Sequence, residues 1–224
     1  MSKLKLYGFL MSQPTRSCLM LLKESALQYE FVTVDALKGE NRKPDFIKIN
    51  PQGLVPFLQD VDGYSVAETS AILQYLCEDR KLEKWYSATD LKLRANTNFW
   101  TSWNHTNSRK STKGILTTKL FPGMHKNVDI NEVIAKNAKD FGRSCAFLNK
   151  HLEKNKFLAG TDYPTIADLT IVPELDQLTS EAFDLFDYTP YPNILSYLKR
   201  FGDNVKCYRE VFEPVVEKAK LFKK

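Results

Sequence analysis

The sequence has few cysteines and histidines, and neither residue type is spaced as a metal site or a redox pair requires. The four cysteines carry no CxxC motif; they are Cys18, Cys77, Cys145 and Cys207. The three histidines are far apart, with no ligand partners at metal-site spacing; they are His105, His125 and His151. We therefore expect reduced, mostly buried thiols and no bound metal.

Long apolar runs are also missing. No run approaches the roughly 20 residues that a membrane helix needs, and the first residues show no apolar signal segment. A hydrophobic content of 43% is enough for an ordinary buried core. We expect a globular, cytoplasmic protein with no membrane partner.

Charge of one sign is in only modest excess. The net charge of +5 comes from 32 basic and 27 acidic residues. Residues 1–80 contain 9 basic and 10 acidic residues, whereas residues 81–224 contain 23 basic and 17 acidic residues. The excess is spread over many helical turns of the second half, which indicates a solvated basic surface and no nucleic-acid partner.

The first half alternates strand and helix patterns at short intervals, which is typical of an α/β layer. Strands are predicted at residues 3–9, 30–34, 56–59 and 64–67, the last two as a hairpin turning at Asp62-Gly63. Helices are predicted at residues 14–26, 41–49 and 69–77. The predicted order is βαβαββα.

Beyond about residue 81 only helical periodicity remains. It covers residues 89–120, 131–154, 166–178 and 192–218, the last in two pieces. The sequence thus predicts an α/β N-terminal domain at residues 1–80, a polar linker at 81–90 anchored by Trp85-Tyr86, and an all-α helical bundle domain at 91–224.

Ser12 stands between the first strand and Pro14, which suits a first helical turn. Its hydroxyl should therefore lie at a helix N-terminus, where free N–H groups and the helix dipole stabilise negative charge. A hydroxyl there can donate a hydrogen bond to a thiolate. The alternative is that Ser12 only caps the helix.

Two later segments could bind a peptide-like ligand. Pro56 opens a strand, and a cis bond before it would present the N–H and C=O of Val55 to an extended chain; the alternative is an ordinary strand-start proline. Glu68 and Thr69 lie at a strand-to-helix junction that offers a carboxylate, a hydroxyl and free N–H groups. The alternative there is helix capping by Thr69 or Ser70.

In this order and spacing, the three segments resemble the cytosolic glutathione transferase family, over essentially the whole chain. The resemblance implies a thioredoxin-like first domain, in which Val55 and Pro56 bind the cysteinyl part of glutathione. It also implies that Glu68 and Thr69 hold the γ-glutamyl end. A predicted capping box at Thr165-Ile166-Ala167-Asp168 matches a structural helix signature of the family.

The run Ser12-Gln13-Pro14-Thr15-Arg16 resembles the Ser-Gln-Pro-Ser-Arg of theta-class enzymes. This implies that Ser12 is the catalytic, thiolate-stabilising hydroxyl and that Gln13 belongs to the glutathione site. The rival is Tyr7, because other classes carry a catalytic tyrosine on the first strand. The register set by Pro14 puts Gly8 at that position, and neighbouring strand residues point to opposite faces, so we expect Tyr7 in the core.

The sequence departs from the theta pattern where the glycyl end of glutathione binds. Theta enzymes often have His-Lys and a further Lys there, whereas this chain has Asn41-Arg42 and Leu54. We expect Arg42 to reach that carboxylate, with help from Gln52, and we expect Leu54 to belong to the glutathione site as well.

The run Trp103–Arg109, followed by Phe121, is a second theta-like feature. The resemblance implies that Arg109 faces the active site, and we expect Trp103, His105 and Phe121 at the second-substrate site. Two alternatives remain: Arg109 could be a solvated helix arginine, and His105 a packing residue rather than a general base.

The expected function is transfer of glutathione, the co-substrate, to a hydrophobic electrophile or to a peroxide oxygen, by an enzyme that forms a homodimer as the family usually does. One alternative is a non-catalytic binding or assembly module on the same fold, which the retention of Ser12, Val55-Pro56 and Glu68-Thr69 opposes. The other is a thiol-disulfide oxidoreductase, which the absence of a cysteine at position 12 opposes.

Overall fold

The structure is a computed structural model that describes residues 3–124 and 129–222. The elements of the first half confirm the predicted order βαβαββα. Two short 3₁₀ turns precede α2. The elements are β1 Leu4–Gly8, α1 Gln13–Glu24, β2 Tyr29–Thr33, α2 Pro44–Ile49, β3 Phe57–Gln59, β4 Ser65–Ala67 and α3 Thr69–Asp79.

The four strands form one mixed sheet in the order β2-β1-β3-β4. The pair β1/β2 is parallel, with Leu6 opposite Phe31, and β1/β3 and β3/β4 are antiparallel. Burial in β1 alternates along the strand, so Leu4 and Leu6 contribute to the main core with α1 and α3. This is the thioredoxin-like arrangement that the sequence predicts.

Tyr7 belongs to the other face of the sheet. It contacts a small cluster of Val34, Phe46 and Phe57 near α2, with ring centroids 6.1 Å from Phe46 and 5.9 Å from Phe57. The prediction that Tyr7 is a core residue is therefore confirmed.

The second half is helical throughout its described elements. These are α4 Leu91–Thr106, α5 Ser108–Leu120, α6 Ile130–Leu152, α7 Ile166–Asp176, α8 Pro192–Asn204 and α9 Tyr208–Lys220. The prediction of one long helix over residues 89–120 is wrong, because the backbone leaves the helical conformation at Asn107 (φ −110°, ψ −86°). The Asn107 side chain donates to the carbonyl of Trp103 at 2.9 Å, and the same carbonyl accepts the Asn107 N–H at 3.1 Å as the last backbone bond of α4.

Helix α7 is the centre of this half, and every one of its residues is buried. Its first turn is fixed by Asp168, whose carboxylate accepts the N–H of Thr165 at 2.7 Å and its hydroxyl at 3.0 Å. The same carboxylate accepts the N–H of Leu158 and the hydroxyl of Tyr197. The predicted capping box is thus present at the start of the buried helix.

The segment between α3 and α4 connects the two halves through two buried aromatic residues. Trp85 and Tyr86 are each 6% exposed, and the carbonyl of Trp85 accepts the N–H of Ile166 at 3.0 Å. Among residues 3–124 and 129–222, no helix combines the length and apolar character needed to cross a membrane.

Candidate active site

The N-terminus of α1 lies immediately after Ser12, and its first turn holds no acidic residue. Ser12 has an extended backbone (φ −80°, ψ 118°), and its Oγ accepts the N–H of Thr15 at 3.4 Å. Since this contact uses Oγ only as an acceptor, the hydroxyl proton can still be donated. A donor hydroxyl at a helix N-terminus can stabilise an anion such as a thiolate.

The loop before Ser12 is tied to the helical domain by Arg16, which is 1% exposed. Its guanidinium donates to the carbonyl of Leu10 at 3.3 Å and, on α7, to the carbonyl of Pro173 at 2.9 Å and to Asp176 Oδ1 at 3.1 Å. Burial raises the pKa of Asp176 to about 7, although the Arg16 charge opposes that rise. This role was not predicted from the sequence, in which Arg16 stands between Thr15 and Ser17, before the apolar run of α1.

The loop that leads to β3 is shaped by two asparagine side chains. Asn50 donates to the carbonyl of Leu54 at 2.8 Å, and Asn41 donates to the carbonyl of Gly53 at 2.7 Å. The Val55–Pro56 peptide bond is cis, as one of the two sequence alternatives required. The loop thereby brings Leu54 and Val55 to the space beside α1.

The junction between β4 and α3 holds Glu68 in an unusual backbone conformation. Its φ of +70° lies in a region that non-glycine residues rarely adopt and that costs free energy. Glu68 is the N-cap residue of α3, and within the described residues its carboxylate makes no capping bond. An exposed carboxylate is thus held directly before a helix N-terminus, next to the hydroxyl of Thr69.

These segments meet at one cleft between the two domains. The structure brings together there eight of the residues predicted for the site: Gln52, Leu54, Val55, Pro56, Glu68, Thr69, His105 and Arg109. Pro14 and Ser17 of α1 also line the cleft. Ser12 itself is half-buried and precedes this lining by two positions.

Arg109 is held in place by a buried carboxylate. Its Nη1 donates to Glu174 Oε1 at 3.0 Å, and Thr112 donates its hydroxyl to Glu174 Oε2 at 2.6 Å. Glu174 is 1% exposed. Arg109 is therefore not a freely solvated helix arginine, and the alternative that the sequence left open is excluded.

His105 is exposed and lies across the cleft from α3, where its Nε2 is 3.2 Å from Ser70 Oγ. The alternative that His105 is a packing residue is therefore wrong. This contact joins the helical domain directly to the segment that carries Glu68 and Thr69.

Five predicted residues lie outside the cleft lining: Ser12, Gln13, Arg42, Trp103 and Phe121. Gln13 is 4% exposed, and its Nε2 has no hydrogen-bond partner among the described residues. Trp103 packs with Trp100 and Phe147, at centroid distances of 5.4 and 5.6 Å, and Phe121 contacts Phe222 at 6.2 Å. Trp103 is two residues from His105 and so about 200° away around α4, which prevents both from facing one cleft.

Arg42, predicted for the glycyl end, ends a short 3₁₀ turn and is exposed. It lies beside Gly53, since a Cβ at residue 53 would be 3.4 Å from Arg42 Nη1. The guanidinium is thus next to the loop that carries Gln52 and Leu54.

Several lining residues were not predicted from the sequence: Ser17, Asn104, Lys113, Thr170 and Glu174. For Lys113 a signal existed, because it follows Arg109 by four residues and so shares its helix face. For Glu174 the signal was a carboxylate within the otherwise apolar residues 171–175.

The cysteines do not take part in this site. Cys18, Cys77 and Cys145 are buried free thiols, and burial raises the pKa of each. A buried, protonated thiol is inert, which opposes the oxidoreductase alternative. No group of three or more potential metal ligands occurs within the described parts of the chain, and His125 lies outside them.

Comparison with known proteins agrees with this geometry. The family model "Glutathione S-transferase, N-terminal domain" matches residues 2–78, and the model of the C-terminal domain matches residues 112–203. Glutathione S-transferase T1 of Arabidopsis thaliana is 36% identical over 80% of this chain and 74% of its own length. Human glutathione S-transferase theta-2 is 33% identical over 84% of this chain and 76% of its own length.

Solved structures support the same assignment. The apo form of human glutathione transferase T1-1 superposes with a TM-score of 0.85 at 28% identity, over 97% of this chain and 91% of its own. Human glutathione transferase theta-2, solved with glutathione and an unknown ligand, gives a TM-score of 0.86 at 27% identity, over 97% and 89% of the two chains. The chain therefore belongs to the glutathione S-transferase family and is theta-like within it.

Proposed function

We propose that this protein transfers glutathione to an electrophile and that Ser12 stabilises the glutathione thiolate. The observation that carries the proposal is the interdomain cleft, in which the Leu54–Pro56 loop and the Glu68-Thr69 junction meet beside the N-terminus of α1. The relatives named as glutathione S-transferases and the solved theta-2 complex with glutathione support glutathione as co-substrate.

In this proposal each part of glutathione has its own contact. Glu68 and Thr69 bind the γ-glutamyl end, and the N–H and C=O of Val55 pair with the cysteinyl residue as an added strand would. Gln52 and Arg42 lie on the side where the glycyl carboxylate would bind. We assign no ligand contact to Trp103 or Phe121, which pack against other aromatic rings, or to Gln13, which is buried outside the cleft lining.

The chemistry depends on the ionisation of the thiol. A thiol with a pKa near 8.5 is only a few per cent ionised at pH 7, so lowering the pKa by one or two units raises the reactive fraction severalfold to tenfold. The Ser12 hydroxyl donates to the sulfur, and the helix dipole adds to this stabilisation. The sulfur then forms a bond to the electrophilic carbon as the leaving group departs with its electron pair.

We further propose that the protein is a homodimer, as the family usually is. Supporting this, the exposed rings of Phe99 and Phe147 lie beside Trp100 on the α4/α6 side, where a second copy would cover them. We also propose a cytosolic location, on the family resemblance. The domain division at residues 1–80, 81–90 and 91–224 is proposed on the same resemblance and on the loop between α3 and α4.

A direct test uses the purified protein with glutathione and three electrophiles: an aryl halide, a benzyl halide and cumene hydroperoxide. We expect glutathione to bind and to be consumed with at least one of them. Binding without turnover would favour the binding-module alternative. Failure to bind glutathione would contradict the site assignment.

A further inference from the structure

The helical side of the cleft carries a stripe of three nitrogen-bearing side chains. His105 on α4, and Arg109 and Lys113 on α5, follow one another at intervals of four residues. Arg109 and Lys113 lie on the same face of α5 because they are four residues apart on one helix, and His105, near the end of α4, lines the same cleft. The remaining lining from this domain is polar as well: Asn104, Thr170 and Glu174.

The three side chains differ in the hydrogen-bond and ion-pair partners that they have within the protein. His105 contacts Ser70 at 3.2 Å, and Arg109 is paired with the buried carboxylate of Glu174 at 3.0 Å. Lys113 is exposed, and no carboxylate of residues 3–124 and 129–222 lies within ion-pair distance of it. Lys113 is therefore the cation of this stripe that a ligand can bind without displacing a protein partner.

The other charge in the cleft is the carboxylate of Glu68. In the proposed function that carboxylate is neutralised by the ammonium group of glutathione. With Arg109 compensated by Glu174, the positive charge that faces a second substrate in the glutathione complex is that of Lys113. The apolar side chains of Leu54, Val55 and Pro56 line the opposite side of the cleft.

We propose that Lys113 is a specificity-determining residue that binds an anionic group, a carboxylate or a sulfonate, carried by the electrophilic substrate and retained in the product. The inference rests on the proposed function. An ammonium group in a partly enclosed cleft forms a charge-assisted hydrogen bond with such a group. Neutral electrophiles of the same shape gain nothing from it, so the enzyme should prefer the anionic one.

The test compares two substrates with the same reacting centre, 4-(bromomethyl)benzoate and its methyl ester. In both, the glutathione sulfur attacks the benzylic carbon and bromide leaves. We expect Lys113→Met to lower the ratio of kcat/KM for the carboxylate to that for the ester by about two- to fivefold, the size expected for an exposed charge pair. Lys113→Glu should lower this ratio further.

Lys110→Met is the matched control. Lys110 lies on the same helix but lines a groove beside Trp103, Asp140 and Phe147, on the side of α6. This variant removes one positive charge from α5 without changing the cleft. We expect it to leave the carboxylate-to-ester ratio at the wild-type value.

A binding measurement separates this inference from the proposed function. Calorimetry with S-(4-carboxybenzyl)glutathione and its methyl ester reports the same discrimination without turnover, and Lys113→Met should weaken the first more than the second. If the wild-type protein binds these two products but shows no turnover, the catalytic proposal is refuted. The calorimetric comparison of the two products in Lys113→Met still tests the role of Lys113 in that case. Equal effects of Lys113→Met on both compounds, or binding of neither product, would overturn the inference.

Discussion

Thr15 occupies the space that a side chain at residue 8 would need. A Cβ at Gly8 would lie 2.3 Å from Cγ2 of Thr15 and 3.1 Å from the ring of Phe31. Helix α1 therefore starts too close to β1 for the strand to carry a catalytic tyrosine here. The hydroxyl at the start of the helix is that of Ser12, which agrees with the role proposed for it.

The close approach of Gly8 to Thr15 predicts a specific loss of stability. Gly8→Ala should lower the free energy of unfolding by about 1–3 kcal/mol, because the added methyl group overpacks the contact. Thr15→Ser removes Cγ2 and keeps the hydroxyl that the N–H of Phe9 contacts. The double variant should thus recover part of the loss in urea unfolding. An unchanged midpoint for Gly8→Ala would show that the contact is not tight.

The buried pair of Arg16 and Asp176 predicts a second effect on stability. Arg16→Met removes the charge that faces Asp176 together with the hydrogen bonds to Leu10 and Pro173. We expect a loss of about 3 kcal/mol at about pH 8, since breaking one partner of a buried pair leaves the other uncompensated. Urea unfolding monitored by tryptophan fluorescence measures it.

Lys23→Met is the matched control for Arg16→Met. Lys23 lies on the same helix and pairs at 2.7 Å with Glu210, whose side chain is 68% exposed. Exposed pairs contribute at most about 1 kcal/mol. Equal losses in the two variants would mean that the buried pair does not stabilise the domain contact.

The pH dependence of stability should reveal Asp176. Burial raises its pKa to about 7, above the ordinary value of 3.8, so the folded protein binds this proton more tightly than the unfolded chain does. The contribution is fully present below the unfolded pKa and is lost as the pH rises towards the folded pKa. Between about pH 4.5 and 7.5, the free energy of unfolding should fall relative to that of Asp176→Asn. Parallel curves for the two proteins would contradict the raised pKa.

The capping carboxylate of Asp168 should be among the most sensitive positions in the helical domain. Asp168→Ala removes four hydrogen-bond contacts, to Thr165 (two), Leu158 and Tyr197, and leaves their donors buried. We expect a loss of about 3–5 kcal/mol, since each unsatisfied buried donor costs about 1–3 kcal/mol. Tyr197→Phe removes only one of these bonds and should cost about 1 kcal/mol. Similar losses of stability in Asp168→Ala and Tyr197→Phe would show that the hydrogen bonds of Asp168 to Thr165 and Leu158 contribute little.

The elements of the fold could be predicted because their signals are local. The strand pattern of β1 and the helical periodicity of α6 are visible in the sequence. The structure places both elements within about two residues of the predicted bounds. The break at Asn107 could not be predicted in this way, because a single asparagine inside a helical pattern is common and its hydrogen bond to the Trp103 carbonyl depends on the local backbone.

The candidate site was predictable only where one segment supplies it. The Leu54–Pro56 loop and the Glu68-Thr69 junction are short motifs, and both line the cleft. The other contacts that build the site link residues 35 to 160 positions apart, namely Ser70 to His105, Arg109 to Glu174 and Arg16 to Asp176. Pairings at such separations depend on how α4, α5 and α7 pack, which no local pattern records.

The most direct test of the central claim is the effect of Ser12→Ala on turnover and on glutathione affinity, measured with the best substrate of the panel. The account predicts that kcat/KM falls by about 100-fold or more, as for loss of one donor to a developing or bound anion, while the Kd for glutathione changes by less than about threefold. Ser17→Ala is the control, because this cleft hydroxyl already donates to the carbonyl of Gln13 and should matter far less. Retained turnover in Ser12→Ala would contradict the account, most clearly if Ser17→Ala lost it.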